Sequence, residues 1–152
     1  MIFNSVNRFE DKEHEALMGI WWSGVLLKRE SRNFFKGRAV SESQFNVLMA
    51  LKYAERALAQ QDLSERLLVD KSNLTSLIDS LEELDFVRRR KEVQDRRFYR
   101  LELTEKGKNF LEEIEPAYWK LVHRIMSVFS ADEISRITGY MVRFQKGLEK
   151  DE

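Results

Sequence analysis

Between residues 58 and 104, the hydrophobic period changes from helical to strand-like, and this change limits the folds open to the chain. Two short helical patterns cover residues 60–67 and 71–84. In the second, apolar residues recur every three or four positions and predict one buried stripe: Leu74, Leu77, Ile78, Leu81 and Leu84. Asp70 precedes this helix, and we predict that its carboxylate caps a first-turn N–H.

The opposite face of the 71–84 helix carries mostly small hydrogen-bonding side chains: Lys71, Ser72, Asn73, Thr75, Ser76, Asp79 and Ser80. An ordinary solvent-exposed surface is one interpretation. Ser, Asn and Thr lower helical propensity, however, so Glu, Lys or Ala would serve solvent exposure better. A slim polar face of this kind is able to enter a DNA major groove and read base edges.

Two arginine-rich runs follow, at residues 86–93 and 98–104, and they predict a β-hairpin with its turn at residues 94–97. Seven Lys and Arg and two Asp and Glu lie between Phe86 and Arg100, a local charge of +5 in a chain whose net charge is zero. Such a concentration of positive charge is an electrostatic footprint for phosphate. The alternative is a hairpin whose charges are simply solvated.

The motifs of this segment resemble the winged helix-turn-helix of MarR-type transcriptional regulators over residues 41–110. The resemblance depends on Gln44-Phe45, residues 63–67 (LSERL), 72–75 (SNLT), 77–82 (LIDSLE), the tip Asp95-Arg96-Arg97 and residues 101–107 (LELTEKG). Two positions differ from the usual pattern of the family. Ala59 replaces the usual Thr or Ser, so Asp62 is half of a capping box, and Asp85 replaces a usual Gly, at modest cost because Asp tolerates left-handed geometry.

The resemblance implies a mainly α fold with a small β-hairpin wing. We predict a single MarR-like domain over residues 1–152, with a winged helix-turn-helix DNA-binding lobe at 41–107 and a helical dimerisation region at 1–36 and 108–152. The implied partner is double-stranded DNA with a pseudo-palindromic operator, since two-fold symmetry places two recognition helices about one helical turn apart.

The predicted DNA-binding residues follow from this arrangement. Base-edge contacts are assigned to Ser72, Asn73, Thr75 and Ser76, and phosphate contacts to Gln61, Lys71, Arg90 and Arg96. By resemblance, the wing tip places Arg97 in the flanking minor groove, and Asp95 holds its guanidinium from behind.

Capping signals and turn residues predict the remaining elements. Capping boxes begin helices at Ser41 and at Ser130. Thr104 caps a helix over residues 105–129, which Pro116 should kink. Residues 33–40 form a connecting loop, and Leu58 begins a short third strand beside the wing.

The two ends of the chain are predicted to form a homodimer interface. A helix over residues 7–32 is apolar around most of its circumference and needs cover on more than one side. The last helix carries apolar residues at alternating spacings of three and four. The proposed interface residues are Phe9, Leu17, Trp21, Ile134, Ile137, Met141, Phe144 and Leu148. Burial within one subunit is the alternative for both helices.

Ligand control is the second expectation, because MarR-type regulators commonly bind small phenolic anions that change the spacing of the recognition helices. Residues suited to such a pocket are His14, Trp21, Trp22, Phe45, Tyr118 and Trp119. Aromatic residues at helical spacing more often belong to a core or an interface.

Other classes of function find little support. The chain has no cysteine, two separated histidines and no glycine cluster, so we expect no catalytic site, no metal site and no cofactor. A winged helix that acts through protein–protein contacts is the alternative function, but it should have lost its basic wing. With no signal peptide and no apolar run of membrane-spanning length, we expect a cytoplasmic protein without a membrane partner. The expected role is repression.

Overall fold

The computed structural model describes residues 9–55, 57–91 and 99–149. Its helices are α1 (Lys12–Phe35), α2 (Glu42–Lys52), α3 (Gln60–Leu67), α4 (Lys71–Glu83), α5 (Glu105–Met126) and α6 (Ala131–Leu148). Its strands are β1 (Leu58–Ala59), β2 (Val87–Lys91) and β3 (Tyr99–Leu103). The chain divides into two compact units, residues 1–111 and 112–152.

The three strands form one antiparallel sheet in the order β1-β3-β2. Val87 pairs with Leu103, and Lys91 pairs with Tyr99, so β2 and β3 run in register to the edge of the described part of the wing. Leu58 pairs with Leu101 in the third strand. The predicted hairpin and the predicted third strand are both confirmed, whereas the tip at 94–97 lies outside the described residues.

The core of the first unit collects the apolar stripe of α4 and the inward residues of its neighbours. Leu74, Ile78 and Leu81 are fully buried, while Leu77 and Leu84 at the edge of the stripe are only partly covered. Buried partners from the other elements are Phe35, Val40, Phe45, Val47, Leu48, Leu58, Leu63, Phe86, Val87, Leu101 and Leu111. The helical period therefore predicts correctly which face of α4 is turned inward.

Most of the predicted helix starts are confirmed in atomic detail. Ser41 and Gln44 form a reciprocal capping box, as do Ser130 and Glu133. Hydrogen bonds from the backbone N–H and the hydroxyl of Ser130 lower the pKa of the Glu133 carboxyl. The hydroxyl of Thr104 accepts the N–H of Gly107 at 3.0 Å, and Asp62 accepts the N–H of Ala59 at 3.0 Å as the remaining half of its box.

The prediction that the Asp70 carboxylate caps α4 is wrong. Asp70 occupies the N-cap position, but none of the described backbone N–H groups donates to its side chain. The backbone alone begins this helix, through the Leu74 N–H to the Asp70 carbonyl at 2.9 Å.

Three predicted helix boundaries also need correction. α1 begins at Lys12, and residues 9–11, which were predicted to be helical, precede it. Residues 33–35 continue α1 because Phe35 is drawn into the core against Phe45, with ring centroids 5.2 Å apart. α5 ends at Met126, and Val128 and Phe129 are exposed rather than part of its apolar side. Pro116 lies inside α5, which is helical on both sides of it, and the kink stays a prediction.

Two non-glycine residues adopt left-handed backbone geometry. Asp85 has φ of 57° in the turn out of α4, at the position where the sequence predicted a tolerated aspartate. Leu68 has φ of 50° between α3 and α4, and its side chain is 86% exposed. A branched aliphatic residue is costly in this region, by about 1 kcal/mol or more.

Among the glycines of the first unit, Gly107 is the one with no room for a side chain. A Cβ placed on this glycine would overlap the carbonyl oxygen of Phe86 and lie 2.9 Å from its carbonyl carbon. The same oxygen accepts the N–H of Thr104 at 3.1 Å, so the chain cannot simply move away. The start of α5 is therefore held against the segment that joins α4 to β2.

We predict that Gly107→Ala lowers the free energy of unfolding by about 1–3 kcal/mol, because the methyl group forces this backbone contact apart. Gly139→Ala is the matched control, since Gly139 also lies in a helix but has open space around its Cβ direction. Alanine should stabilise that site by up to about 1 kcal/mol. Urea denaturation of both variants measures the difference, and equal effects would contradict the close contact.

Candidate nucleic-acid interface

The turn between α3 and α4 fixes how α4 is presented. The hydroxyl of Ser64 donates to the Val69 carbonyl at 2.7 Å, and the left-handed Leu68 reverses the chain between the two helices. Because the α4 stripe is buried, its polar face must point outward. Lys71, Ser72, Asn73 and Ser76 are exposed on this face, and Thr75 is half-buried at its edge.

Two hydroxyl groups of this face are already engaged within the protein. Thr75 donates to the Lys71 carbonyl at 2.8 Å and accepts a bond from the Gln60 amide at 2.5 Å. Ser76 donates to the Ser72 carbonyl at 3.3 Å. In the part of the chain that is described, nothing bonds to the side chains of Ser72 or Asn73. These two residues therefore offer the uncommitted polar groups of the face.

The basic residues of β2 divide into two groups. Arg89 is held by α4: its guanidinium bonds to Asp79 at 2.7 Å and to Glu82, and its backbone N–H donates to Glu82 at 2.8 Å. We call this set, Arg89 with Asp79 and Glu82, the helix–wing clamp. Arg89 was counted in the basic footprint, but its charge is neutralised here. The sequence signal for the clamp was the Asp79/Glu82 spacing of three on one side of α4.

The other cations of β2 remain accessible. Arg88 and Arg90 share Glu102, with nitrogen–oxygen distances of 3.1 and 3.5 Å, and both side chains are more than 60% exposed. Exposed ion pairs of this kind contribute little stability and exchange readily for other anions. The Lys91 ammonium lies 6.0 Å from the centroid of the Tyr99 ring. Arg90 is thus exposed, and its contact with phosphate stays a prediction.

The remaining predicted DNA-binding residues have mixed positions. Gln61 is exposed on α3 and donates to Glu65 at 3.2 Å, a surface contact that DNA could replace. Asp95, Arg96 and Arg97 lie outside the described residues. Gln44 donates to the half-buried Ser80 at 2.8 Å and thereby ties the start of α2 to α4, a contact that the sequence did not reveal.

The residues predicted for a ligand pocket do not all face an open space. Phe45 is 1% exposed and packs on Phe35 in the core, so its inclusion as a pocket-lining residue is corrected. Trp21 and Trp22 are exposed on α1, and His14 lies near the α1 start, 4.9 Å from the Phe9 ring. In the second unit, Tyr118 and Trp119 pack edge to face with centroids 5.3 Å apart.

Each unit exposes apolar residues on a helix. On α1, Trp21 is 68% exposed, and the neighbouring exposed residues are Leu17, Ile20, Trp22, Val25, Leu26 and Leu27. On α6, the predicted seam residues Ile134, Ile137, Met141 and Phe144 are half-buried, and Leu148 is exposed. Exposed apolar residues grouped on one helix, as on α1, are typical of an interaction surface.

Searches for other kinds of site were confined to the described ranges. Residues 9–55, 57–91 and 99–149 hold no cluster of three metal-ligating side chains. Over the same ranges, no helix is both long and apolar enough to cross a membrane.

A polar recognition face on the second helix of a helix–turn–helix, clamped to an adjacent basic hairpin, defines a winged helix-turn-helix. Comparison with known proteins leads to the same class of protein. The family model described as MarR family matches residues 40–97. Transcriptional repressor MprA of Escherichia coli (strain K12) is 32% identical over 127 residues, which cover 80% of this chain and 72% of MprA. The chain belongs to the MarR family of transcriptional regulators, whose members are not enzymes.

A second relative matches over a shorter stretch. HTH-type transcriptional repressor YetL of Bacillus subtilis (strain 168) is 35% identical over 102 residues. The alignment covers 66% of this chain and 61% of YetL, so the chain spans less than two thirds of that relative.

Solved structures show the same fold. AbsC, a MarR family regulator from Streptomyces coelicolor, aligns with a TM-score of 0.85 at 20% identity, covering 95% of this chain and 99% of AbsC. S. aureus MepR in complex with DNA gives 0.76 at 17% identity, covering 92% and 99%. PcaV from Streptomyces coelicolor with its natural ligand gives 0.71 at 21% identity, covering 81% and 89%.

We predict that Glu82→Ala lowers the free energy of unfolding by about 1–2 kcal/mol, because it removes two acceptors of Arg89 at a part-buried site. Glu83→Ala is the matched control: it removes the same charge from the next, exposed position of α4, and should change stability by less than about 0.5 kcal/mol. Thermal and urea unfolding measure both variants. Equal effects would show that the clamp contributes nothing beyond charge.

Proposed function

We propose that this protein is a homodimeric, sequence-specific double-stranded DNA-binding repressor. The observation that carries the proposal is the outward polar face of α4, held by the helix–wing clamp next to the exposed cations of β2. The names of MprA and YetL as transcriptional repressors and the DNA complex of MepR support it. Such a regulator works at the chromosome, so a cytoplasmic location is part of the proposal.

We assign the base contacts according to which side-chain groups already form hydrogen bonds within the protein. Asn73 reads adenine with its amide, and Ser72 bonds to a neighbouring base edge. Thr75 contributes its methyl group to a thymine methyl, since its hydroxyl is engaged by Gln60 and the Lys71 carbonyl. Ser76 accepts a bond from a base amine, because its proton is directed to the helix backbone.

The residues proposed to contact phosphate lie around these base-reading side chains. Lys71 and Gln61 bind the backbone at the start of α4, and Arg90 binds it beside the wing. At the wing tip, Arg96 contacts phosphate and Arg97 enters the minor groove with Asp95 behind it. A narrow A·T-rich groove favours this insertion because its negative potential is enhanced.

Dimerisation is proposed to cover the apolar helical faces. The exposed Leu17 and Trp21 of α1, together with Phe9, form one part, and the α6 seam Ile134, Ile137, Met141, Phe144 and Leu148 forms the other. Two-fold symmetry then requires a pseudo-palindromic operator. The proposed domain boundaries follow the same division, with the DNA-binding lobe at 41–107 and the dimerisation region at 1–36 and 108–152.

Release from the operator by a small aromatic anion is the regulatory part of the proposal. PcaV is described with its natural ligand, which supports ligand control in a protein of this fold. The residues proposed to bind the anion are His14, Trp21, Trp22, Tyr118 and Trp119, without the buried Phe45.

We predict that selection of bound duplexes from a random pool yields an inverted repeat. Asn73→Ala should then relax the base preference at one position of each half-site, at a cost of about 1–3 kcal/mol for the preferred sequence, and leave the salt slope unchanged. Arg97→Ala should instead flatten the log–log salt slope by about one unit, because one cation fewer displaces counterions from the DNA. Fluorescence anisotropy at several salt concentrations measures both. A pool without sequence preference would overturn the proposed function.

We predict that benzoate quenches tryptophan fluorescence and releases the operator over the same concentration range. The physical reason is that a ligand shifts the equilibrium only if it binds the released conformation more tightly. Cyclohexanecarboxylate, which has the charge without the aromatic ring, is the control. Absence of both effects with a panel of aromatic carboxylates would contradict ligand control while leaving DNA binding intact.

A further inference from the structure

A cationic cleft lies in the first unit, between the C-terminal end of α1 and the start of α2. It has a volume of about 650 Å³ and is open to solvent. Lys28 and Arg32 of α1 and Lys36, which directly follows α1, are spaced four residues apart in the lining, and Phe35 also lines the cleft. Asn33 of α1, the α2 N-cap Ser41 and the α2 residues Glu42 and Ser43 complete the lining. We call this set of residues the α1–α2 cleft.

The charges of the α1–α2 cleft are unbalanced. Lys28, Arg32 and Lys36 are exposed and form no ion pair within residues 9–55, 57–91 and 99–149, whereas Glu42 is the one acidic residue of the lining. Like charges four residues apart on a helix destabilise it by a few tenths of a kcal/mol. The spacing of Lys28 and Arg32 therefore does not stabilise α1, whereas it suits the binding of an anionic partner.

The start of α2 places this cleft beside the recognition helix. Gln44 follows the cleft residue Ser43 and donates to Ser80 of α4 at 2.8 Å. Ser80 is half-buried and lies one helical turn beyond the exposed Ser76. The residue next to the cleft is thus in side-chain contact with α4, one turn from the recognition face.

The helix–wing clamp holds the opposite flank of α4. Successive residues of an α-helix are rotated by about 100°. Relative to Ser80, Asp79 is thus displaced by about 100° and Glu82 by about 200°, and both bond to Arg89 of β2. The polar face of α4 consequently lies between two basic surfaces, with Arg88 and Arg90 on one side and the α1–α2 cleft on the other.

We propose that the α1–α2 cleft binds phosphates of the DNA backbone across the major groove from the wing. This inference rests on the proposed function. A helix in the major groove lies between two sugar–phosphate backbones, and contacts to both fix its register and depth. Lys28, Arg32 and Lys36 supply the charge for the second backbone, and the hydroxyls of Ser41 and Ser43 line the same surface.

Another role for these cations would be local. Positive side chains near a helix C-terminus interact favourably with the helix dipole, and Arg32 lies in the last turn of α1. That role would show as a lower melting temperature of the variants at every salt concentration. Phosphate binding shows instead in the salt dependence of duplex affinity, so the two readouts separate the roles.

The test compares Lys28→Ala/Arg32→Ala with Arg29→Ala in the full chain. Arg29 is exposed on the same helix but does not line the cleft. Arg29→Ala removes one positive charge and the double variant removes two, so an effect of net charge alone would be half as large in Arg29→Ala. The duplex is the selected operator, extended by several base pairs on each side. Affinity is measured by anisotropy between about 50 and 200 mM salt, and melting temperature is measured alongside.

The double variant should reduce the salt slope by about 0.9 for each phosphate that it no longer binds, which corresponds to roughly tenfold weaker binding per phosphate at 0.1 M salt. Its base preference and melting temperature should not change. Glu42→Gln, which removes the acidic residue of the cleft, should bind more tightly at low salt. Arg29→Ala should retain the slope of the unmodified protein.

Two results would overturn the inference. The first is an unchanged slope in the double variant. The second is a slope reduction in Arg29→Ala that is half or more of the reduction in the double variant, which would show that only net charge matters. In both cases the unmodified protein still selects an operator, so the proposed function survives. If the unmodified protein binds no duplex at all, the proposed function fails first.

Discussion

Burial of one apolar stripe on α4 is the constraint on which the proposed interface depends. Because Leu74, Ile78 and Leu81 are closed off in the core, the helix has no freedom to rotate, and its polar side is turned outward at a fixed angle. The clamp through Arg89 then fixes the hairpin relative to that side. A reading surface therefore arises from hydrophobic burial and one ion-pair cluster, without any special geometry in the reading residues themselves.

The same arrangement determines which basic residues remain exposed. The arginines of β2 look uniform in the sequence, yet one of them is committed to internal structure and the others remain exposed. A net charge of zero over the whole chain means that the basic surfaces are balanced by acidic ones elsewhere. Such a charge distribution orients a protein during approach to a polyanion and disfavours binding through its other faces.

Local sequence signals predicted the parts of the structure that local interactions determine. The capping boxes at Ser41 and Ser130, the β3 alternation and the α4 stripe each depend on residues within one or two turns of each other. The predictions for Asp70 and Phe45 failed. Asp70 lacks its capping bond although the residue type suits the position, and Phe45 belongs to the core because Phe35, ten residues away, packs on it.

The same distinction between local and tertiary interactions applies to the candidate site. The recognition face could be located from its composition, since small polar residues are poor helix formers. The engagement of Thr75 by Gln60, the neutralisation of Arg89 and the link between Gln44 and Ser80 join separate elements of the chain. Such pairings are set by tertiary packing, and a single sequence carries no direct record of them.

Leu68 has a consequence for motion within the recognition unit. Its left-handed backbone is strained and its side chain gains almost nothing from burial, so the turn between α3 and α4 stores energy that separation of the two helices would release. Amide protons around this turn should consequently exchange with solvent through local opening sooner than those of the α4 stripe. The element that would read DNA is thus joined to its neighbour through a strained and exposed turn.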